Sequence, residues 1–222
     1  MKKLKISVVI GIVALLTTTA VQAASLSVVG GNDGYLSGFD LTGTTNLSDG
    51  DKVKVFNNNN ANVSNGLHLS GAPTDVTFTF LGSEAANKNH AIELQGVGQK
   101  IFNNKTSNIF DTETVTIDTD GMVPFSFSST SKACVWFICW NVTDYANNGG
   151  DIDKGLTIGL FQESDTSVIA LFGDGSGDLD FDDMAMRISV SAVPLPAALP
   201  LYGAGLAIMV FFGWRRKKRL AV

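Results

Sequence analysis

The sequence predicts an all-β fold: an antiparallel β-sandwich, with a jelly roll as one arrangement of its strands. Three observations lead there. Short runs alternate apolar and polar side chains with a period of two, and clusters of Gly, Asn and Asp separate those runs. No stretch sustains the 3.6-residue repeat of an amphipathic helix, the nearest being a single turn near Glu84 to Lys88. Roughly eight to ten short strands are expected between residues 24 and 192, in one domain without repeats or an internal linker.

From the N-terminus, Lys2, Lys3 and Lys5 precede the apolar run Ile6 to Leu16 and the small-residue stretch Ala20-Val21-Gln22-Ala23-Ala24. This is the three-part layout of a secretory signal peptide over residues 1–23, cut after Ala23. An uncleaved anchor is the weaker alternative, because a membrane span needs ~20 apolar residues.

The strand signals then run in order: Ala24 to Val29, Thr74 to Leu81, Thr114 to Ile117, Met122 to Phe127, Leu156 to Phe161, Ser167 to Phe172 and Met184 to Val190. In the last, Met184, Met186, Ile188 and Val190 share one face. Turns are expected at Gly30 to Gly34, Asp118 to Gly121 and Asn147 to Gly150, with a long polar loop over Asn57 to Asn65.

Cys134 and Cys139 lie in Ala133-Cys134-Val135-Trp136-Phe137-Ile138-Cys139-Trp140. Five positions apart, they would point to opposite faces of an unbroken strand, so a bond between them needs a turn or bulge. A local disulfide is the favoured reading in an exported chain, ahead of buried thiols or a redox site. Trp136, Phe137 and Trp140 are expected to pack in the core around the cysteines. A sugar-stacking platform is the rival reading.

The acidic segment Gly173-Asp174-Gly175-Ser176-Gly177-Asp178-Leu179-Asp180-Phe181-Asp182-Asp183 crowds five aspartates that repel one another unless solvent or a cation relieves them. Oxygens at Asp174, Ser176, Asp178, Asp180 and Asp182 would suit Ca²⁺, which takes six to eight oxygen ligands. Leu179 and Ala185 stand where an EF-hand loop needs Gly and Glu, so the segment is not one. The alternative is a solvated loop whose aspartates bond backbone amides. The segment also resembles the acidic run of the form D-x-D-[FY]-[DN]-D that precedes the last strand in some secreted bacterial β-sandwich domains.

Beyond residue 192 the chain reads Val193-Pro194-Leu195-Pro196-Ala197-Ala198, then an uncharged stretch to Trp214, then Arg215, Arg216, Lys217, Lys218 and Arg219. The eighteen residues 197–214 suffice to cross a ~30 Å hydrocarbon core as a helix. Tyr202 and Trp214 fall near its two boundaries, and the bases 215–219 hold the C-terminus inside as a cytoplasmic stop. Pro194 and Pro196 keep the segment before the span extended, a form a protease cleft can accept.

This order resembles the PEP-CTERM sorting tail, in the variant headed by Val193, Pro194, Leu195, Pro196 and Ala197 and continued by Leu201-Tyr202-Gly203-Ala204-Gly205-Leu206. The common form carries Glu where Leu195 stands. The resemblance covers residues 193–222 and implies cleavage near the prolines by a membrane-embedded exosortase. The chain would be its substrate, and an unprocessed anchor is the plain alternative.

Residues 24–192 hold eight bases against twenty-one acids, a formal charge of −13. Such a surface repels phosphate backbones and excludes nucleic acid as a natural partner. His68 and His90 lack zinc spacing, no nucleophile elbow is present, and Glu84 with Glu93 is a generic pairing of carboxylates. The expected protein is non-enzymatic and exported through the Sec machinery and signal peptidase. Its body would stand in the periplasm on an inner-membrane anchor, then pass to the cell surface or extracellular matrix. Rivals are a carbohydrate-binding module taking extracellular polysaccharide and, behind it, a secreted hydrolase.

Overall fold

The period-two runs become strands, and every strand pairing is antiparallel. The computed structural model describes residues 23–94, 99–175 and 180–191. The strands are β1 (Ser25–Val29), β2 (Asn32–Tyr35), β3 (Lys52–Asn57), β4 (Gly66–Ser70), β5 (Thr74–Gly82), β6 (Lys88–Glu93) and β7 (Lys100–Asn103). They continue as β8 (Thr112–Ile117), β9 (Gly121–Met122), β10 (Phe125–Val135), β11 (Ile138–Asn147), β12 (Thr157–Ser164), β13 (Ser167–Gly173) and β14 (Met184–Val190). One short helix, α1 (Thr42–Thr45), lies between β2 and β3.

Seven strands form the main sheet in the order β2-β3-β12-β13-β14-β5-β8. A four-stranded sheet, β11-β10-β6-β7, and a three-stranded sheet, β1-β4-β9, share the large core with it in a β-sandwich-like layering. Alternation decides which residues meet there. Val76, Phe78 and Phe80 of β5, Val168, Ala170 and Phe172 of β13, and Met184, Met186 and Ile188 of β14 point into that core with Leu69, Phe125 and Phe127.

The intervening residues Ile169, Leu171 and Ala185 point the other way, into a second cluster with Leu36, Phe39, Leu47 and Phe181. The segment around α1 therefore covers the outer face of the main sheet. This explains why β13 reads as an unbroken apolar run: it is buried on both faces.

Asn148 ties the sheets together. Its Oδ1 accepts the Leu67 N–H at 2.7 Å, while its Nδ2 donates to the carbonyls of Leu67 at 2.9 Å and Val123 at 2.8 Å. Gly66 lies against this amide: a Cβ there would stand 2.2 Å from Asn148 Oδ1, and φ is +142°.

Three expectations are corrected. Fourteen strands are present among the described residues, against eight to ten expected, because β2, β3, β4, β6, β7 and β11 sit in polar surroundings that masked them. β6 shows the reason: five of its six residues are buried, yet Asn89, His90 and Glu93 are among them. The expected turn at Gly30 to Gly34 overlaps β2, whose Asn32 to Tyr35 pair with Val55 to Lys52. The expected strand Met122 to Phe127 is two elements, β9 and β10, since Pro124 between them has no N–H for a ladder.

The signal-peptide span 1–22 and the tail 193–222, with its sorting motif, membrane helix and basic stop, lie outside the described residues. Among the described residues no helix is long and apolar enough to cross a membrane.

Candidate functional site

Two places carry chemistry. The first is the end of the sandwich where β13 hands over to β14 through the acidic segment. Asp174 Oδ2 accepts hydrogen bonds from Ser129 Oγ at 3.0 Å, Asn89 Nδ2 at 3.1 Å and Asn87 Nδ2 at 3.2 Å. That carboxylate therefore bridges the main sheet to the four-stranded sheet. Asp183 Oδ2 accepts the Asp174 N–H at 2.5 Å, and Ser83 Oγ donates to the Asp183 carbonyl. Burial, with the charges of Asp174 and Asp180 nearby, pushes the Asp183 carboxyl up to about 7, against the bond from the Asp174 amide.

Asp182 turns away from this network. It is 1% exposed, its Oδ2 accepts the Asp40 N–H at 2.9 Å, and its carbonyl accepts the Glu84 N–H at 2.9 Å. Those two contacts bring the side chains of Asp40, Glu84 and Asp182 together, with one oxygen of each within 4.8 Å of the others. Ca²⁺–oxygen distances of ~2.3–2.6 Å place the two farthest ligands on one ion at about that separation. The three carboxylates could hold a divalent cation, with carbonyls or water completing its shell.

Of the residues expected as metal ligands, the structure brings Asp182 into this triad. Asp174 takes a bridging role between sheets, Asp180 lies close enough to Asp183 to raise its carboxyl, and Ser176 and Asp178 lie outside the described residues. Asp40 was not among them. It is 142 residues from Asp182, and only the fold joins the two.

The second place is the hairpin of β10 and β11. Cys134 and Cys139 face each other across it, bonded, with Cα atoms 4.2 Å apart. The turn that their spacing demands is Trp136–Phe137. Trp136 takes φ +57° at the first of the two turn positions, where Gly is the usual residue.

Beyond the cysteines the hairpin stands clear of the sandwich. Trp136 is 90% exposed, Phe137 96%, Ile138 71% and Trp140 48%. The expectation that these rings pack in the core is therefore wrong. They sit past the last core contacts of the hairpin, Phe127 and Ala146. The exposure is on a projecting tip, whereas the rival reading of a sugar-stacking platform calls for a concave face.

The remaining candidates do not converge. His68 lies on β4, its Nε2 3.3 Å from the Ser64 carbonyl, while His90 is buried on β6 in a different sheet, with Nε2 3.4 Å from Lys100 Nζ. Burial, with Lys100 and Lys88 nearby, pushes His90 below its ordinary value. Glu84 and Glu93 fall beyond and at opposite ends of β6, which spans about 17 Å at ~3.3 Å per residue. Glycosidase carboxylates stand ~5–9.5 Å apart.

No family model, curated protein or solved structure matches this chain.

Proposed function

We propose that the chain is an exported, non-enzymatic surface or extracellular-matrix protein, held transiently at the membrane by residues 193–222 and released by exosortase-type processing. The observation that carries this reading is the ordered tail: paired prolines Pro194 and Pro196, eighteen uncharged residues 197–214, and five consecutive bases 215–219. An uncharged stretch of that length partitions into lipid, and the bases fix its orientation. The Cys134–Cys139 bond supports it, since disulfides persist in oxidising compartments. So does the −13 charge of residues 24–192, which keeps a displayed domain soluble.

The role of the body is binding or building rather than catalysis, in keeping with the separation of Glu84 from Glu93 and of His68 from His90. Calcium at Asp40, Glu84 and Asp182 would staple the α1 segment to the start of β14, lending stability to a domain working outside the cell.

Cell fractionation tests this reading. The precursor should pellet with membranes, resist alkaline extraction, and expose its body to protease added outside the inner membrane. A freely soluble full-length precursor contradicts it.

A further inference from the structure

The tip of the β10–β11 hairpin is built as a ribbon with two unlike faces. Cross-strand pairs Thr130–Thr143, Lys132–Asn141 and Cys134–Cys139 lie on one face. Pairs Ala133–Trp140 and Val135–Ile138, with Val142 opposite Ser131, lie on the other. Trp136 and Phe137 close the end. No charged residue occurs between Lys132 and Asp144.

We propose that this tip is a lipid-inserting element that seats Trp136 and Phe137 in the interface of a bilayer with electrically neutral headgroups. The side chains Val135 to Ile138 expose on the order of 600 Å² of apolar surface, the size of the largest patch on ordinary monomers. The uncharged length fits. From Lys132 to the turn is about four residues, or roughly 13 Å, and interfacial elements sink ~5–10 Å. Trp136 and Trp140 are residues that favour the water–lipid boundary, and Lys132 sits where its ammonium reaches the headgroups.

The backbone argues for retention of the aromatic tip. A two-residue turn whose first position has φ > 0 is met at no cost by Gly, yet Trp136 occupies it at φ +57°. A bulky residue held against its backbone preference marks function more often than folding.

Other occupants fit less well. A sugar site needs polar groups to orient the ring against, and residues 135–138 carry no polar side-chain atom except the indole N–H. Two tips meeting end to end would bury less than the ~1,200 Å² of a stable interface. The charge of −13 on residues 24–192 disfavours anionic lipids, which is why the headgroups are neutral ones.

Direction adds a consequence. Phe127 packs on Phe172, and two residues further along both strands Ser129 bonds Asp174, so β10 runs alongside β13 in the same sense. β14 runs back the other way, placing Ser189 opposite Ser167, so the chain leaves at Ser191 from the end opposite the tip. A body anchored through residues 193–222 thus presents the hairpin away from its own membrane, toward a second surface.

The test uses the full chain with Trp214→Phe, leaving Trp136 and Trp140 as the only tryptophans. It is incorporated in phosphatidylcholine nanodiscs and mixed with vesicles of phosphatidylcholine brominated on the acyl chains. Insertion predicts a blue shift and loss of tryptophan emission, weaker with anionic vesicles. The further change W136G/F137S should lower vesicle affinity by at least about a hundredfold and abolish quenching of Trp140. Its melting temperature should be no lower, because Gly suits the turn. Unquenched tryptophans overturn the inference, as does an emission change given by soluble polysaccharide or by self-association instead. Failure of the chain to enter nanodiscs would count against the sorting tail and leave the vesicle readout intact.

Discussion

Phe127 stacks on Phe172 across the core, ring centroids 5.0 Å apart and planes 18° from parallel. The pair joins the four-stranded sheet to the main sheet and sets the direction in which the long hairpin leaves the sandwich. Both rings are fully buried. Phe127→Ala should therefore cost about 3–5 kcal/mol in urea unfolding. A cost near zero would mean that the two sheets do not depend on this contact.

Asn148 holds the N–H and the carbonyl of Leu67 and the Val123 carbonyl, all in the interior. Asn148→Ala leaves the buried Leu67 N–H without its partner, while the Leu67 and Val123 carbonyls keep the N–H groups of Val123 and Phe125, and should lower stability by about 1–3 kcal/mol. Asn148→Asp should be at least as damaging, because a carboxylate in place of the amide would face two carbonyls. Equal melting curves for the three proteins would contradict the clasp.

If Asp40, Glu84 and Asp182 bind calcium, millimolar Ca²⁺ should raise the melting temperature relative to chelator. Glu84→Gln, at an exposed side chain, should remove most of that rise. No difference between calcium and chelator would reject a stabilising site.

Asp183 gives the body a pH dependence measurable in chelator. Its carboxyl titrates near 7 in the folded protein and near 3.8 when unfolded, so between those values the native state holds a proton the unfolded chain has released. Stability from this group is full below about 3.8 and is lost as pH rises toward 7. Asp183→Asn should flatten that slope, since an amide stays neutral throughout. A wild-type-minus-variant stability difference that rises with pH over this window, or does not change, would contradict the assignment.

What was legible in the sequence follows from what local pattern can encode. The alternation of Met184 to Val190 announces one shared face, and Met184, Met186, Ile188 and Val190 are found together in the large core. The Cys134–Cys139 bond was legible because two cysteines close in sequence, in a chain read as exported, need only a turn between them to meet. Other features were hidden for physical reasons. β6 buries Asn89 and His90 behind side-chain partners that only the fold supplies. The tip was misread because large aromatics are usually buried, and because Trp136–Phe137 carries none of the Gly or Asn that marks a two-residue turn. The triad was invisible because Asp40 and Glu84 reach Asp182 through backbone bonds across the chain.

The most direct measurement on the central claim is intact-mass and C-terminal peptide analysis of the protein isolated from the cell surface or culture matrix. Processing predicts a mature chain that begins at Ala24 and ends near Pro196. A mature protein that still carries Arg219 would contradict it.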